Sequence, residues 1–329
     1  MINVAQSLAQ GVVASIPSPP EATFTLWPGG PTIYYYALCI IAGIIAAVLL
    51  TNHRLTKRGA EPWVVIDIAL LAVPLAIIGA RIYHVVTHWD FYFGPGANPV
   101  SALFIWEGGI AIYGALIGGA IGAWLGCRWT GIRFWTFADA LAPGLLLAQA
   151  MGRFGNWFNQ ELYGLPTDLP WGLEIAYPNP AWPVGLPEGT LFHPTFLYEV
   201  IWNLLGVVML LWAGRKFRLQ WGRLFGLYLV WYSAGRIVWE SIRIDPSEII
   251  LGLRTNVWAA IFGVVVGLAI FFVQKRRHPG FEPSPYVPGR EWKPEGAVQS
   301  QDTDEFVDVS EPPTSEVAEA TATSTPATK

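Results

Sequence analysis

Seven apolar stretches, each long enough to cross a bilayer, divide this 329-residue chain and leave it few folds to choose from. A span needs roughly 17–25 mostly apolar residues, and runs of that kind lie near residues 33–50, 64–86, 109–126, 134–157, 195–213, 224–242 and 256–274. Lipid offers no partner for backbone N–H and C=O groups, so each run must close its own hydrogen bonds as a helix. A soluble fold would also need a charged skin, and charged residues make up only 13% of the chain, against ~25% in soluble proteins. The expected fold class is an all-α polytopic membrane protein with seven transmembrane helices. Cys39 and Cys127 fall in apolar or juxtamembrane stretches, so neither a disulfide framework nor a metal site is expected.

Orientation follows from the basic residues, which accumulate on the cytoplasmic side. One set of alternate connections holds Arg54, Lys57, Arg58, Arg128, Arg133, Arg215, Lys216, Arg218, Arg223, Lys275, Arg276 and Arg277, twelve in all, while the opposite set holds Arg254 alone. The N-terminus is therefore expected outside and the C-terminus in the cytoplasm. On this scheme residues 1–30 form an external N-terminal segment and 31–277 the seven-span domain. The Gly-, Pro- and Trp-rich connection 159–193 makes a small external cap. Residues 278–329 carry ten acidic against three basic groups, and such a composition predicts a disordered acidic tail on the cytoplasmic side. Nothing in the tail suggests a nucleic-acid partner. The ladder Gly114, Gly118, Gly122, Gly126 predicts close approach of a second helix.

Charges within or beside the spans are more informative, because one at the bilayer centre costs at least ~2.5 kcal/mol and must face protein or water. Asp67, Arg81, Glu107, Asp139, Arg153, Glu161, Glu199, Arg236, Glu240 and Arg243 qualify. Asp67 and Asp139, near helix ends, read as structural. Arg153 lies toward the external end of a long apolar run, and helical spacing puts it on one face with Asn156 and Gln160. Tyr232, Arg236, Glu240 and Arg243 form a second stripe at intervals of 4, 4 and 3. An ion-pair network within that stripe is compatible with a binding site. Inward guanidiniums suit a lipid phosphate, since the planar fork matches its oxygens and stays charged when buried.

The segment Gly152-Arg153-Phe154-Gly155-Asn156-Trp157-Phe158-Asn159-Gln160-Glu161-Leu162-Tyr163-Gly164 resembles the signature of the prolipoprotein diacylglyceryl transferases. Gly79-Ala80-Arg81, Trp106-Glu107-Gly108-Gly109, the run from Pro166 to Gly172, the run from His193 to Glu199, and Tyr232 with Arg236 and Glu240 extend the likeness across about residues 31–275. The resemblance implies transfer of a diacylglyceryl group from phosphatidylglycerol to the lipobox cysteine of prolipoproteins, releasing glycerol 1-phosphate, in the bacterial plasma membrane. It implies an active site toward the outer leaflet and no cofactor.

Residue by residue, the resemblance puts the phosphate-binding arginine at Arg153 and a second important arginine at Arg236. The essential tyrosine falls at Tyr36, and the signature asparagine and glutamate at Asn156 and Glu161. Arg81, Glu107, His193, Glu199, Tyr232 and Glu240 complete the candidate substrate-binding set. Two positions depart from the family pattern. Tyr113 stands where many members carry the histidine proposed as base, and Phe196 where many carry glutamine. The general base is thus open among Glu161, Glu199, His193, Tyr113 and an oxygen of the substrate phosphate. Inward charges on glycine-rich helices also suit a secondary transporter for an anionic substrate, the alternative reading.

Overall fold

The computed structural model describes residues 15–293. They are mostly helical, with seven long helices: α1 Tyr35–Thr56, α2 Val64–Thr87, α3 Ile112–Thr130, α4 Phe134–Phe158, α5 Thr195–Lys216, α6 Arg223–Ile242 and α7 Thr255–Arg277. Four of these, α1, α2, α5 and α7, are long and apolar enough on their own composition to cross a membrane. The other three are diluted by polar groups: α3 by its glycines and Arg128, α4 by Asp139 and Arg153, α6 by Arg236 and Glu240. Two hairpins accompany the helices, β1 Thr23–Thr25 with β2 Thr32–Tyr34, and β3 Ile249–Ile250 with β4 Leu253–Arg254.

Helix α4 is the centre, with α1, α5 and α6 packed on it, while α2 pairs with α3 and α7 with α6. The glycine ladder makes the α2–α3 contact possible. A Cβ at Gly118 would lie 2.1 Å from the Leu75 carbonyl oxygen, and one at Gly114 the same distance from that of Gly79. No side chain fits there, so the helices meet backbone to backbone, as the spacing predicts. Asp139 also has a structural job. Fully buried, it accepts the N–H groups of Gly222 (2.8 Å, Oδ2) and Phe225 (2.9 Å, Oδ1). That satisfies donors at the start of α6 which have no partner within the helix and fixes α6 against α4.

Residues 159–193 fold over the end of α4 as a small unit whose apolar centre is Tyr163, Leu173, Ile175 and Phe192 with Phe196 of α5. Ile16 pairs with its backbone, donating to Gly172 (2.8 Å) and accepting from Glu174 (2.9 Å). Part of the segment before α1 is therefore sewn into this unit.

The stretch after α7 corrects the sequence reading. Residues 278–292 are not a free tail. Tyr286 is buried in an apolar cluster with Leu55, Val64, Ile132 and Phe137, and its hydroxyl accepts the Glu61 N–H at 2.9 Å. Glu282 accepts Trp221 N–H (2.8 Å) and Thr136 Oγ1 (2.9 Å) and lies 3.7 Å from Arg58. Arg290 donates to the carbonyls of Arg128 and Trp129. Bulk composition hid this clasp because its few anchoring side chains are averaged with the acidic residues beyond them. Residues 294–329 lie outside the described residues.

Ending the chain after Trp292 should leave the apparent melting temperature in detergent unchanged, whereas ending it after His278 should lower it by several degrees, because a buried tyrosine and its packing are lost. Equal melting of the two truncations would contradict the clasp.

Candidate active site

The polar residues of α4 and α6 converge toward the end of the bundle covered by the 159–193 unit. From α4, Gln149, Arg153 and Asn156 follow at helical spacing. From α6 come Tyr228, Tyr232, Arg236 and Glu240. The two lines meet where Gln149 Nε2 donates to the Tyr228 hydroxyl at 3.0 Å. The Tyr228 and Tyr232 rings stack 6.2 Å apart.

Two charge networks stand at this end. In the first, Arg153 pairs with Glu199 of α5 (2.7 Å) and donates to Asn156 Oδ1 (3.1 Å). Asn156 Nδ2 then donates to Glu161 Oε1 (2.9 Å), which also accepts from Asn159 Nδ2 (3.3 Å). Sequence reasoning named all four residues as candidates and placed Arg153 and Asn156 on one face. It misplaced Gln160. Helix α4 ends at Phe158, and Gln160 adopts φ 49° in the following turn. Its amide leaves the Arg153 face to bond the Pro19 carbonyl (3.2 Å) and the Ala176 N–H (2.7 Å). Tyr36 is adjacent: a Cβ on Gly155 would lie 2.4 Å from its ring. The signature glycine thus leaves room for the Tyr36 ring against α4.

The second network is built on Glu240, which is wholly buried. One oxygen contacts Arg236 (2.9 Å) and Arg243 (3.6 Å), and the other accepts Arg254 Nε (2.9 Å) and Asn256 Nδ2 (2.9 Å). Asp245 pairs with Arg243 (2.7 Å) and Arg254 (3.1 Å). Burial alone would lower the Arg243 pKa, but Asp245, Glu240 and Glu199 together outweigh it and hold the guanidinium above its ordinary value. Glu199 thereby couples the two networks electrostatically. The backbone joins them too, as Leu165 N–H donates to the Ile242 carbonyl (2.9 Å) and Thr195 Oγ1 to that of Leu162 (2.5 Å).

Arg254 is the residue that sequence reasoning missed. It entered only as the single exception in the basic-residue count, and that exception was the available signal. Its partner Glu240 is fourteen positions away, beyond any helical spacing rule.

Arg81, Tyr113 and His193 make no hydrogen bond to the Arg153 network among the described residues. Arg81 is buried and donates to the carbonyls of Ala102 (2.8 Å), Ser101 (2.7 Å), Gly108 (2.6 Å) and Gly109 (3.1 Å). It pins the connection between α2 and α3. Glu107 ends a short 3-10 turn there, and its side chain is outside the described set. Tyr113 packs against Tyr83, ring centroids 5.9 Å apart, within the α2–α3 pair. His193 shares its Nδ1 with the Tyr198 hydroxyl (3.1 Å), which also accepts Trp171 Nε1 (3.1 Å). Phe196 lies between Phe154 and Trp157, an apolar niche that explains a phenyl ring at that position.

A family model described as prolipoprotein diacylglyceryl transferase matches residues 22–273, which take in all seven long helices but the last four residues of α7. The chain belongs to the prolipoprotein diacylglyceryl transferase family. Among its relatives is the phosphatidylglycerol–prolipoprotein diacylglyceryl transferase of Leifsonia xyli subsp. xyli, 62% identical over 89% of this chain and 90% of the relative. The second enzyme of that name from Streptomyces coelicolor is 48% identical over 82% and 84%. The one from Rhodococcus jostii is 43% identical over 94% and 93%. Both charge networks lie inside the span that the family model matches.

Arg81→Gln should speed amide hydrogen exchange across residues 99–109, since the carbonyls it holds lose their common donor. Unchanged exchange there would show that the loop does not depend on Arg81.

Proposed function

We propose that this chain is a membrane transferase that moves the diacylglyceryl group of phosphatidylglycerol onto the cysteine thiol of a prolipoprotein lipobox, the first step of lipoprotein maturation. The observation that carries the reading is the pair of guanidiniums, Arg153 and Arg236, on the facing helices α4 and α6. Glu240 is shared by three arginines. It therefore anchors Arg236 from behind without neutralising the group, and positive charge remains for a phosphate.

The acceptor sulfur attacks the glyceryl carbon that bears the phosphate. A carbon–sulfur bond forms, the carbon–oxygen bond breaks, and its electron pair leaves on the phosphate oxygen as glycerol 1-phosphate. Arg153 and Arg236 bind the phosphate and stabilise charge as it develops there, the kind of interaction that lowers a barrier. The thiol, with an ordinary pKa near 8.5, must lose its proton. Glu161 is the acceptor we favour, because two amides hold its Oε1 and leave Oε2 to face the substrate. Glu199 is less suited, being paired with Arg153, and Tyr113 less again, because a neutral phenol is a poor proton acceptor and this one packs on Tyr83 in the α2–α3 pair. Tyr36, Asn156, Tyr232, His193 and the unit 159–193 shape the lipid and peptide sites. The nucleophile comes from the acceptor protein, so the chemistry asks for no cofactor and no metal.

The same reading sets the topology. All seven long helices cross the bacterial plasma membrane, with the N-terminus and residues 159–193 outside and the C-terminus in the cytoplasm. The active site then opens toward the outer leaflet. The support is the twelve-to-one distribution of basic residues together with helices of 19 to 25 residues, each long enough for the bilayer core. Pro180→Cys should react with an impermeant thiol reagent on intact cells. Reaction only after permeabilisation would reverse the topology.

Turnover of a lipobox peptide with phosphatidylglycerol tests the chemistry. Arg153→Lys and Arg236→Lys should each lose about 100-fold or more, because a point charge does not reproduce a planar fork. Glu161→Gln should lose a similar factor and Tyr113→Phe little. Full transfer by both lysine variants would remove the phosphate site from the account.

A further inference from the structure

The opposite end of the bundle holds a second cationic site. Asp139 and Arg153 are fourteen residues apart on α4, so the two ends are separated by about 20 Å. At the far end, a cavity of about 370 Å³ opens between the C-termini of α1 and α5 and the α5–α6 connection, lined by Arg58, Arg215, Arg218, Gln220 and Phe281. Two carboxylates stand near Arg58, and both are engaged: Glu282 accepts from Trp221 and Thr136, and Asp139 from Gly222 and Phe225. The buried Arg58 Nη1 has no hydrogen-bond partner among the described residues. Arg218 is held at the rim in the left-handed backbone region (φ 47°) with its guanidinium 5.3 Å from the Phe281 ring. Three guanidiniums against two engaged carboxylates leave a net positive charge.

A separate observation indicates what kind of anion fits. A second hollow of about 490 Å³ runs along the outer face of α5, lined by Val208, Leu211, Trp212, Arg215 and Lys216. Arg215 belongs to both hollows. From Val208 to Lys216 the helix rises about 12 Å, enough to carry the upper part of an acyl chain. Trp212 and Val208 are exposed there, an amphipathic indole and an apolar wall at the level where such side chains meet lipid headgroups. A free anion would use the cationic hollow and have no use for the apolar one.

From this juxtaposition we infer that the chain binds an anionic phospholipid at this end, its phosphate on Arg58, Arg215 and Arg218 and one acyl chain along Val208, Leu211 and Trp212. This site is separate from the proposed catalytic one and serves a lipid of the leaflet on the basic side. Arginine forks suit the phosphate as they do elsewhere. The clasp residue Phe281 backs Arg218, so lipid binding and the order of residues 278–292 are tied together.

Native mass spectrometry of the full chain, delipidated and titrated with phosphatidic acid, tests this. Arg153→Gln serves as the background, so that phosphate binding at the catalytic site is weakened. Phosphatidic acid should be retained in that background, and adding Arg215→Gln with Arg218→Gln should weaken retention about tenfold. Both arginines are exposed, so the replacements leave the core intact. On the unmodified chain, phosphatidic acid with a photoreactive acyl chain should label the peptide around Leu211 and Trp212, competed by phosphatidic acid and not by phosphatidylcholine. Retention unaffected by the two replacements, equal competition by phosphatidylcholine, or labelling only elsewhere would each overturn the inference. Displacement of the lipid by millimolar inorganic phosphate would contradict it too, marking the cavity as a free-anion site.

Discussion

Glu240 sits on a helix between α4 and α7 with no contact with water, and a carboxylate in that position persists only if it is paired and hydrogen-bonded. Arg254 and the Asn256 amide hydrogen-bond one oxygen, and Arg236 and Arg243 face the other as ion pairs. Their arrangement has structural consequences. Arg254 must come from the start of α7, Arg243 from the end of α6, and Asp245 from the turn between them. Removing any one of them would leave a buried charge short of a partner. The network therefore fixes the α6–α7 corner, and Arg236 takes its position from that corner.

The unit over α4 ties this corner to the other network. Residues 161–165 run between the end of α6 and the start of α5, bonding both, so Glu161 and Glu199 are set by the same backbone. Arg153 and Arg236 are thus held by different carboxylates on a common frame. An arrangement of this kind is preorganised: its donors need not reorient when charge develops on a bound phosphate. At the opposite end, residues 278–292 tie α1, α4 and the α5–α6 connection together, and the helix bundle is closed from both sides.

Much of this was legible in the residues because membrane helices obey strong local rules. The seven long helices fall within a few residues of the apolar runs, and the glycine ladder packs as its spacing implies. Arg153, Asn156, Glu161 and Glu199 could each be named from the charge rule and the family resemblance, whereas their mutual contacts could not. Local spacing failed where the chain turns or reaches far. Gln160 left its expected face because α4 stops two residues earlier. Arg254 and Asn256 pair across a loop. Arg81 bonds loop carbonyls 20 to 28 residues further along, which no helical spacing reveals. The clasp escaped because composition averages fifty residues, whereas burial is decided by a few, here Glu282 and Tyr286.

The central claim is that the chain breaks the carbon–oxygen bond of phosphatidylglycerol with the leaving phosphate held by Arg153 and Arg236. Phosphatidylglycerol carrying a heavy-oxygen label in the bridge between the diacylglyceryl carbon and phosphorus tests it most directly, with a lipobox peptide as acceptor and mass spectrometry of both products. The account predicts a peptide heavier by one diacylglyceryl group through a thioether, with all of the label in the released glycerol phosphate. Label retained on the lipid side, or a peptide of unchanged mass, would contradict it.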